Sequence, residues 1–203
     1  MRKSNKEKLY RAAFRLFVTK QFDGVSISDI EKECGMTRGT VFYYAKTKLD
    51  LFKQVIEYYI IDTQNVDNKV KFDYGCSLKD YIDLYIDGVG KTMEELVGLI
   101  DPDSRDNASR AYISTLLQVC TLFPDIKHRY LINVNNDIAR WATIINASVS
   151  RNEIKDDIDV LSVARQFVSA FYGLSIIDSM SNGLNVSQLR EHMYTLYNLI
   201  KKM

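Results

Sequence analysis

Between residues 26 and 48 the chain collects side chains that suit a polyanion with a readable edge. Thr37, Arg38, Gly39 and Thr40 stand together. Arg38 carries two parallel N–H donors, the fork that meets O6 and N7 of a guanine, and Thr40 can bond to a base or touch a thymine methyl. Gly39 has no side chain to keep backbone and a ligand apart. Tyr43, Tyr44, Lys46 and Lys48 follow. Phenolic hydroxyls and ammonium groups are the usual partners of phosphate oxygens. With Ser26 just upstream, these nine residues are the candidate nucleic-acid contacts, with base readers first and backbone clamps after.

Such residues act together only if short helices aim them. Ser26-Ile27-Ser28-Asp29 has the form of a capping box, in which the Ser26 hydroxyl accepts from the Asp29 amide and the carboxylate reaches back to the Ser26 amide. Ile27 and Ile30 then face inward on a helix ending near Cys34. Gly35 supplies a tight turn, and Thr37 caps a helix from Arg38 to about Tyr44, anchored by Val41. Thr47-Lys48-Leu49-Asp50 starts a long helix carrying Leu51, Phe52, Val55 and Tyr59, whose first amides and positive dipole end also favour a phosphate. Upstream, Leu9, Ala13, Leu16 and Phe17 give residues 5–20 one apolar helical face. Two short helices across a glycine turn form a helix-turn-helix, whose second helix fits a major groove about 12 Å wide. The same pattern also serves as plain structure in proteins that never meet DNA.

Further on, the period stays helical. Leu78, Ile82, Tyr85, Val89, Met93 and Leu96 mark a helix over 77–97, and Pro102 sits in a polar break. Residues 108–123 are apolar on most sides, which predicts a helix buried in a bundle. Pro124 fits the first turn of a helix carrying Tyr130, Val134, Ile138, Trp141 and Ile145. Arg151 to about Asp157 reads as a loop, and Ser181-Asn182-Gly183 as a turn between the last two helices. The expectation is an all-α chain of about nine helices.

Two apolar sets in this body each have two readings. Phe167, Phe171, Leu174, Leu189, Met193, Leu196 and Ile200 lie on the stripes of helices 158–180 and 186–202. They either join a second copy in a four-helix bundle or pack on their own domain. The two-fold pairing that lets two recognition helices reach adjacent half-sites favours the homodimer. Tyr81, Tyr85, Met93, Tyr112, Phe123 and Trp141 either line an apolar ligand pocket or fill a solid core.

Composition excludes several classes. The net charge of +1 divides into 11 Lys+Arg against 6 Asp+Glu in residues 1–50 and 16 against 20 in the remainder, so a basic N-terminal quarter precedes a mildly acidic body. Local positive charge of this kind points to an anionic partner. Cys34, Cys76 and Cys120 are odd in number and far apart, which argues against disulfides or a zinc site and fits a reducing cytoplasm. The start is charged with no apolar signal core, and no run of about 18 apolar residues exists to span a membrane. His128 and His192 form no ligand pair, Gly88-Val89-Gly90-Lys91 lacks the phosphate-loop spacing, and no catalytic constellation emerges. We therefore expect no enzyme, no cofactor and no metal. The competing reading is an all-helical ligand carrier or protein-interaction module whose helix-turn-helix is only structural.

Ala12-Ala13-Phe14-Arg15-Leu16-Phe17, then Ser26-x-x-Asp29-Ile30, then Gly35 through Lys48 resemble the DNA-binding domain of the tetracycline-repressor (TetR) family over about residues 5–55. The resemblance implies a helix-turn-helix domain at 1–48 and a ligand-binding and dimerisation domain at 49–203. It implies a homodimer on a palindromic operator of double-stranded DNA, released by a small-molecule effector. Carried over by position, Thr37, Arg38, Gly39, Thr40 and Tyr43 touch bases or backbone, and Tyr44 and Lys48 touch phosphates. The sequence departs from the family pattern at Gln21, where a helix-ending glycine is frequent, and at Glu31, Phe42, Tyr44 and Ala45.

Overall fold

The structure is a computed structural model that describes residues 2–62, 75–100 and 105–202. Among these it has nine α-helices: α1 (Arg2–Lys20), α2 (Ile27–Cys34), α3 (Arg38–Tyr44), α4 (Lys48–Ile56), α5 (Leu78–Ile100), α6 (Arg105–Leu122), α7 (Pro124–Ser150), α8 (Val160–Ser179) and α9 (Val186–Ile200). The all-α expectation and the helix count hold. The break expected at Pro102 lies outside the described residues. The chain forms two compact units, Met1–Thr63 with Glu95–Lys127 and Gln64–Glu94 with His128–Met203.

In the first unit α1 begins at Arg2, earlier than its apolar period requires, and buries Leu9, Ala13, Phe14 and Phe17 completely. Ile30 and Cys34 of α2, Val41 of α3, and Leu51, Phe52 and Val55 of α4 are buried in the same unit. Phe52 is the hub: its ring lies 4.9 Å from Phe17, 5.1 Å from Phe22 and 5.9 Å from Phe123. Aromatic pairs at such separations add about 0.5–1.5 kcal/mol each beyond the area they bury. α4 does not continue as a regular helix through Tyr59, as the sequence predicts. It widens into a π-helical turn over Glu57–Ile61. There Tyr59 lies 4.6 Å from Phe14 and Tyr58 packs edge-on to Tyr10 at 5.8 Å, contacts that reward the extra residue in the turn. The expected all-round burial of α6 does not hold either. Thr115, Leu116 and Val119 are buried, but Leu117 and Leu122 stay exposed. An apolar surface around a helix tells nothing of how many neighbours it has.

α6 is also joined by polar contacts to the turn that follows α1. Gln21 there has φ 61°, the left-handed region that costs a non-glycine residue about 1–2 kcal/mol. Gln21 Nε2 donates to Ser114 Oγ at 3.2 Å, and the Phe22 amide donates to Gln118 Oε1 at 3.3 Å.

The second unit has its own core. Trp141 and Phe167 stack at 4.5 Å, and Tyr81 and Tyr85 meet the indole edge-on at 4.7 and 5.1 Å. The loop expected at Arg151–Asp157 is pinned. Ile154 is fully buried and bridges to Lys201, and the Glu153 carboxylate accepts from the Leu78 and Lys79 amides, capping α5. Asp159 caps α8 by accepting from the Leu161 and Ser162 amides, and Asn185 caps α9 through the Gln188 amide. In the turn between them Gly183 takes φ 73°, and Asp178 Oδ2 accepts from the Asn185 amide at 2.9 Å. Arg190 of α9 pairs with Asp83 and Asp87 of α5, and the Tyr194 hydroxyl donates to Asp83. Gly88-Val89-Gly90-Lys91 lies inside α5, as helix rather than phosphate loop.

By length and composition α8 alone among the described helices is apolar enough to cross a membrane. Its inner side carries Ala164, Phe167, Val168 and Leu174 into the core, while Leu161, Ile176 and Ile177 are exposed. The polar residues Arg165 and Gln166 interrupt it, so the sequence contains no continuous apolar run there.

Candidate nucleic-acid interface

The helix-turn-helix is built from caps. Ser26 Oγ accepts from the Asp29 amide at 3.1 Å, and Asp29 Oδ2 takes both the Ser26 amide (2.9 Å) and the Ser26 hydroxyl proton (2.6 Å). The predicted capping box is present, and it keeps the Asp29 carboxyl below the usual carboxylate range through the Ser26 side-chain bond first and the backbone bond second. The Ser26 hydroxyl proton is thus committed inside the domain, which reduces what this residue offers a phosphate. Gly35 ends α2 at φ 62°, and a β-carbon there would meet only Lys8 Nζ, at 3.5 Å. The need for glycine is one of backbone conformation, not of space.

Thr37 caps α3 by accepting from the Thr40 amide, and the two hydroxyls lie 3.0 Å apart. Their bond pre-sets both side chains at the exposed start of the helix. Arg38 is exposed, with its guanidinium 5.5 Å above the Phe42 ring. That stacking restrains the fork without using its in-plane donors, which suits bidentate readout. Nothing lies within 4 Å of a β-carbon built on Gly39, so this face is open. On the opposite side Val41 is 1% exposed and anchors the helix. Tyr43, 70% exposed, stands out beside Tyr44, the two rings edge-to-face at 5.2 Å. Phe42 and Ala45, two of the departures, pack inward: Ala45 is buried and Phe42 half-buried under Arg38.

Lys46 is exposed. Lys48 is half-buried and has a second task. Its Nζ donates to the Phe22 and Val25 carbonyls, both at 2.9 Å, and sits 4.1 Å over the Phe22 ring. An ammonium has three donors, so one remains for a phosphate while two lock the start of α4 to the turn before α2. Thr47 caps α4 through the Asp50 amide at 3.0 Å, and the preceding first-turn amides have no acceptor within the helix. The ion pair Arg15–Glu33 joins α1 to α2, and the Tyr10 hydroxyl donates to Gln54 of α4 at 2.6 Å. On this braced frame Thr37, Arg38, Gly39, Tyr43 and Lys46 are exposed on or beside α3, while Thr40 and Lys48 are half-buried.

The other candidate residues fall differently. The stripe Phe167, Leu174, Leu189, Met193 and Ile200 is buried in the core of its own unit, with Phe171 and Leu196 half-buried against it. Its helical spacing marked an apolar face correctly but could not say which neighbour covers it. The apolar side chains left exposed nearby are Leu161, Ile176, Ile177, Met180 and Leu199. Of the aromatic set, Tyr81, Tyr85 and Trp141 cluster in the second unit with Met93 half-buried on it, and the Tyr85 hydroxyl donates to the buried Asp137 at 3.1 Å. Burial, first, and the Asp137 charge hold the Tyr85 phenol well above its ordinary value. Tyr112 and Phe123 belong to the first unit, where Phe123 packs on Phe52. Sequence reasoning missed Ser114 and Gln118, and the only signal was an unusual residue at position 21. His128 and His192 are both exposed.

Known proteins bear on this geometry. Residues 9–55 match the family described as "Bacterial regulatory proteins, tetR family". A 68-residue stretch is 32% identical to YerO of Bacillus subtilis (strain 168), described as an uncharacterized HTH-type transcriptional regulator, and covers 34% of this chain. The match spans only about a quarter (24%) of that relative's length. The whole fold is similar to a TetR transcription regulator from Haloarcula marismortui ATCC 43049, with TM-score 0.76 and 16% identity over 98% of this chain and 100% of that one. It is also similar to a putative transcriptional regulator from Saccharomonospora viridis solved in complex with choline, with TM-score 0.67 and 18% identity over the full length of both.

Proposed function

We propose that this chain, whose residues 9–55 match the tetR family of bacterial regulatory proteins, is a sequence-specific repressor, released from a palindromic operator by a small molecule. The observation that carries the DNA reading is the braced recognition helix. Arg38, Gly39 and Tyr43 are open to solvent on one side of α3, while Val41 fixes the other. Arg38 reads a base, Thr37 and Thr40 set the approach, and Tyr43, Tyr44, Lys46 and Lys48 hold phosphates, in the cytoplasm.

Two copies pair through the exposed faces of α8 and α9, where Leu161, Ile176, Ile177, Met180 and Leu199 leave an apolar surface uncovered. Pairing sets two copies of α3 about 34 Å apart, one turn of DNA. The effector reading is supported by the second unit's core, where the Asp137 carboxylate and the Tyr85 hydroxyl are buried among aromatic rings. The Trp141 indole N–H there has no acceptor among the described residues.

Selection from a random-sequence DNA pool tests the reading. The expected product is an inverted repeat with half-site centres one turn apart, and Arg38→Ala relaxes one position in each half. Recovery of no common sequence contradicts it.

A further inference from the structure

Between Arg2 and Lys20, α1 carries seven basic residues and a single acidic one, Glu7, and the DNA reading so far uses none of them. Several of these cations have tasks inside the domain. Arg15 pairs with Glu33 of α2, the Lys6 ammonium sits 5.0 Å over the Tyr10 ring, and Arg11, like Glu7, is close enough to Tyr59 to act on its phenol. Lys8 is different. It is exposed, and among the described residues it makes no hydrogen bond or ion pair. Its Nζ nevertheless lies beside the turn between α2 and α3, where a β-carbon built on Gly35 would stand 3.5 Å from it. Two carboxylates are near this turn. Glu33 is taken by Arg15, and Glu31, which acts with Lys8 on the Cys34 thiol, forms no ion pair with it.

Gly35 closes α2, and Thr37, two residues on, caps α3, so the free ammonium stands at the entry to α3. A helix in the major groove has a phosphate strand on each side, about 12 Å apart. Past the C-terminal end of α3 the chain supplies Lys46 and Lys48. At the N-terminal end the local supply is poor. Ser26 has its hydroxyl proton committed to Asp29, Lys32 acts on that same carboxylate, and the connection Gly35-Met36-Thr37 carries no cation. We propose that Lys8 fills this gap: it is a phosphate-binding residue that α1, outside the helix-turn-helix, contributes to the DNA strand beside the start of α3. The proposal rests on the DNA reading above and adds a contact to it. An ammonium offers three donors and no fixed plane, so it holds a phosphate without reading a base. Lys8 therefore adds affinity for every sequence alike and leaves discrimination to Arg38.

The test uses the full chain and two duplexes, the one recovered by random-sequence selection and a scrambled duplex of the same length and composition, titrated between 50 and 200 mM salt. Wild type is compared with Lys8→Gln, Lys8→Arg and Lys79→Gln, the last making the same charge change on an exposed lysine of the second unit. Lys8→Gln is expected to keep the wild-type Tm, to weaken both duplexes by a similar factor, and to make the slope of log affinity against log salt shallower by about 0.9 for each bound protomer. Lys8→Arg and Lys79→Gln are expected to keep the wild-type slope. A slope unchanged in Lys8→Gln overturns the contact, and so does an equal change in Lys79→Gln, which would show a general field rather than a phosphate held at this place. Wild type that binds neither duplex at 50 mM salt overturns the DNA reading and this contact together, whereas binding with an unaltered slope in Lys8→Gln removes the contact alone.

Discussion

Gly35 and Asp29 show how narrow the local requirements of the reading head are. At φ 62° Gly35 occupies a conformation that a β-carbon makes unfavourable by about 1–2 kcal/mol, although the space beside it is open. Gly35→Ala should therefore lower stability by about 1 kcal/mol in urea titrations, without the larger loss that a steric clash brings. Asp29 carries a pH signature. Its carboxyl is held below the ordinary value by the Ser26 hydroxyl and amide, so the folded state favours the ionised form. That contribution is complete above the unfolded pKa, near 4, and is lost as pH falls through the depressed folded value. In melts followed by circular dichroism, wild type should exceed Asp29→Asn at pH 6, and the gap should close toward pH 3. A gap that stays constant with pH shows that the box does not act through the ionised carboxylate.

Among elements, the helix-turn-helix was legible because everything that specifies it is local. Ser26 with Asp29, Gly35, and Thr37 with Thr40 each declare a cap or turn within four residues, and the structure has each in place. α8 was not legible in the same way. Its spacing announced an apolar face at Phe167, Phe171 and Leu174, but the helix has two such faces, and that one is turned into its own core. The face holding Ile176, Ile177 and Met180 carries no periodic signature that separates solvent from a partner. Exposure identifies it instead. Ile177→Glu with Met180→Glu should leave the fold intact, because both side chains are outside the core, and should convert a dimer to a monomer in sedimentation at micromolar concentration. A monomeric wild type, or a dimeric double variant, removes this face as the pairing surface. Phe167→Ala, by contrast, should destabilise the unit itself by about 3–5 kcal/mol, since the ring is fully buried against Trp141.

The whole molecule separates charge as it separates tasks. The first 50 residues carry a net +5 and the rest −4, which places attraction for a polyanion at the end that bears α3. The compact units were hidden from the sequence for a topological reason. Glu95–Lys127 packs with the N-terminal helices although more than thirty residues separate them in sequence, so no composition shift marks the boundary. For the same reason Tyr112 and Phe123 looked like partners of Tyr81 and Trp141 but belong to the other unit, where Phe123 packs on Phe52. The Gln21 contact with Ser114 joins residues 93 apart, and only the unusual side chain at a helix end hinted at it.

The central claim is that α3 reads DNA, and fluorescence anisotropy on the selected or gene-flanking duplex tests it most directly, with wild type, Arg38→Ala and Tyr43→Ala titrated across a salt series. Phosphate contacts release counterions, so wild-type affinity should fall by about two or more decades between 50 and 200 mM salt. Tyr43→Ala should weaken binding to all sequences, and Arg38→Ala should weaken the specific duplex by about 10-fold or more while leaving non-specific DNA nearly unchanged. Binding indifferent to salt, or unaffected by both substitutions, would contradict the assignment of α3 as the recognition helix and leave its motif with a structural task alone.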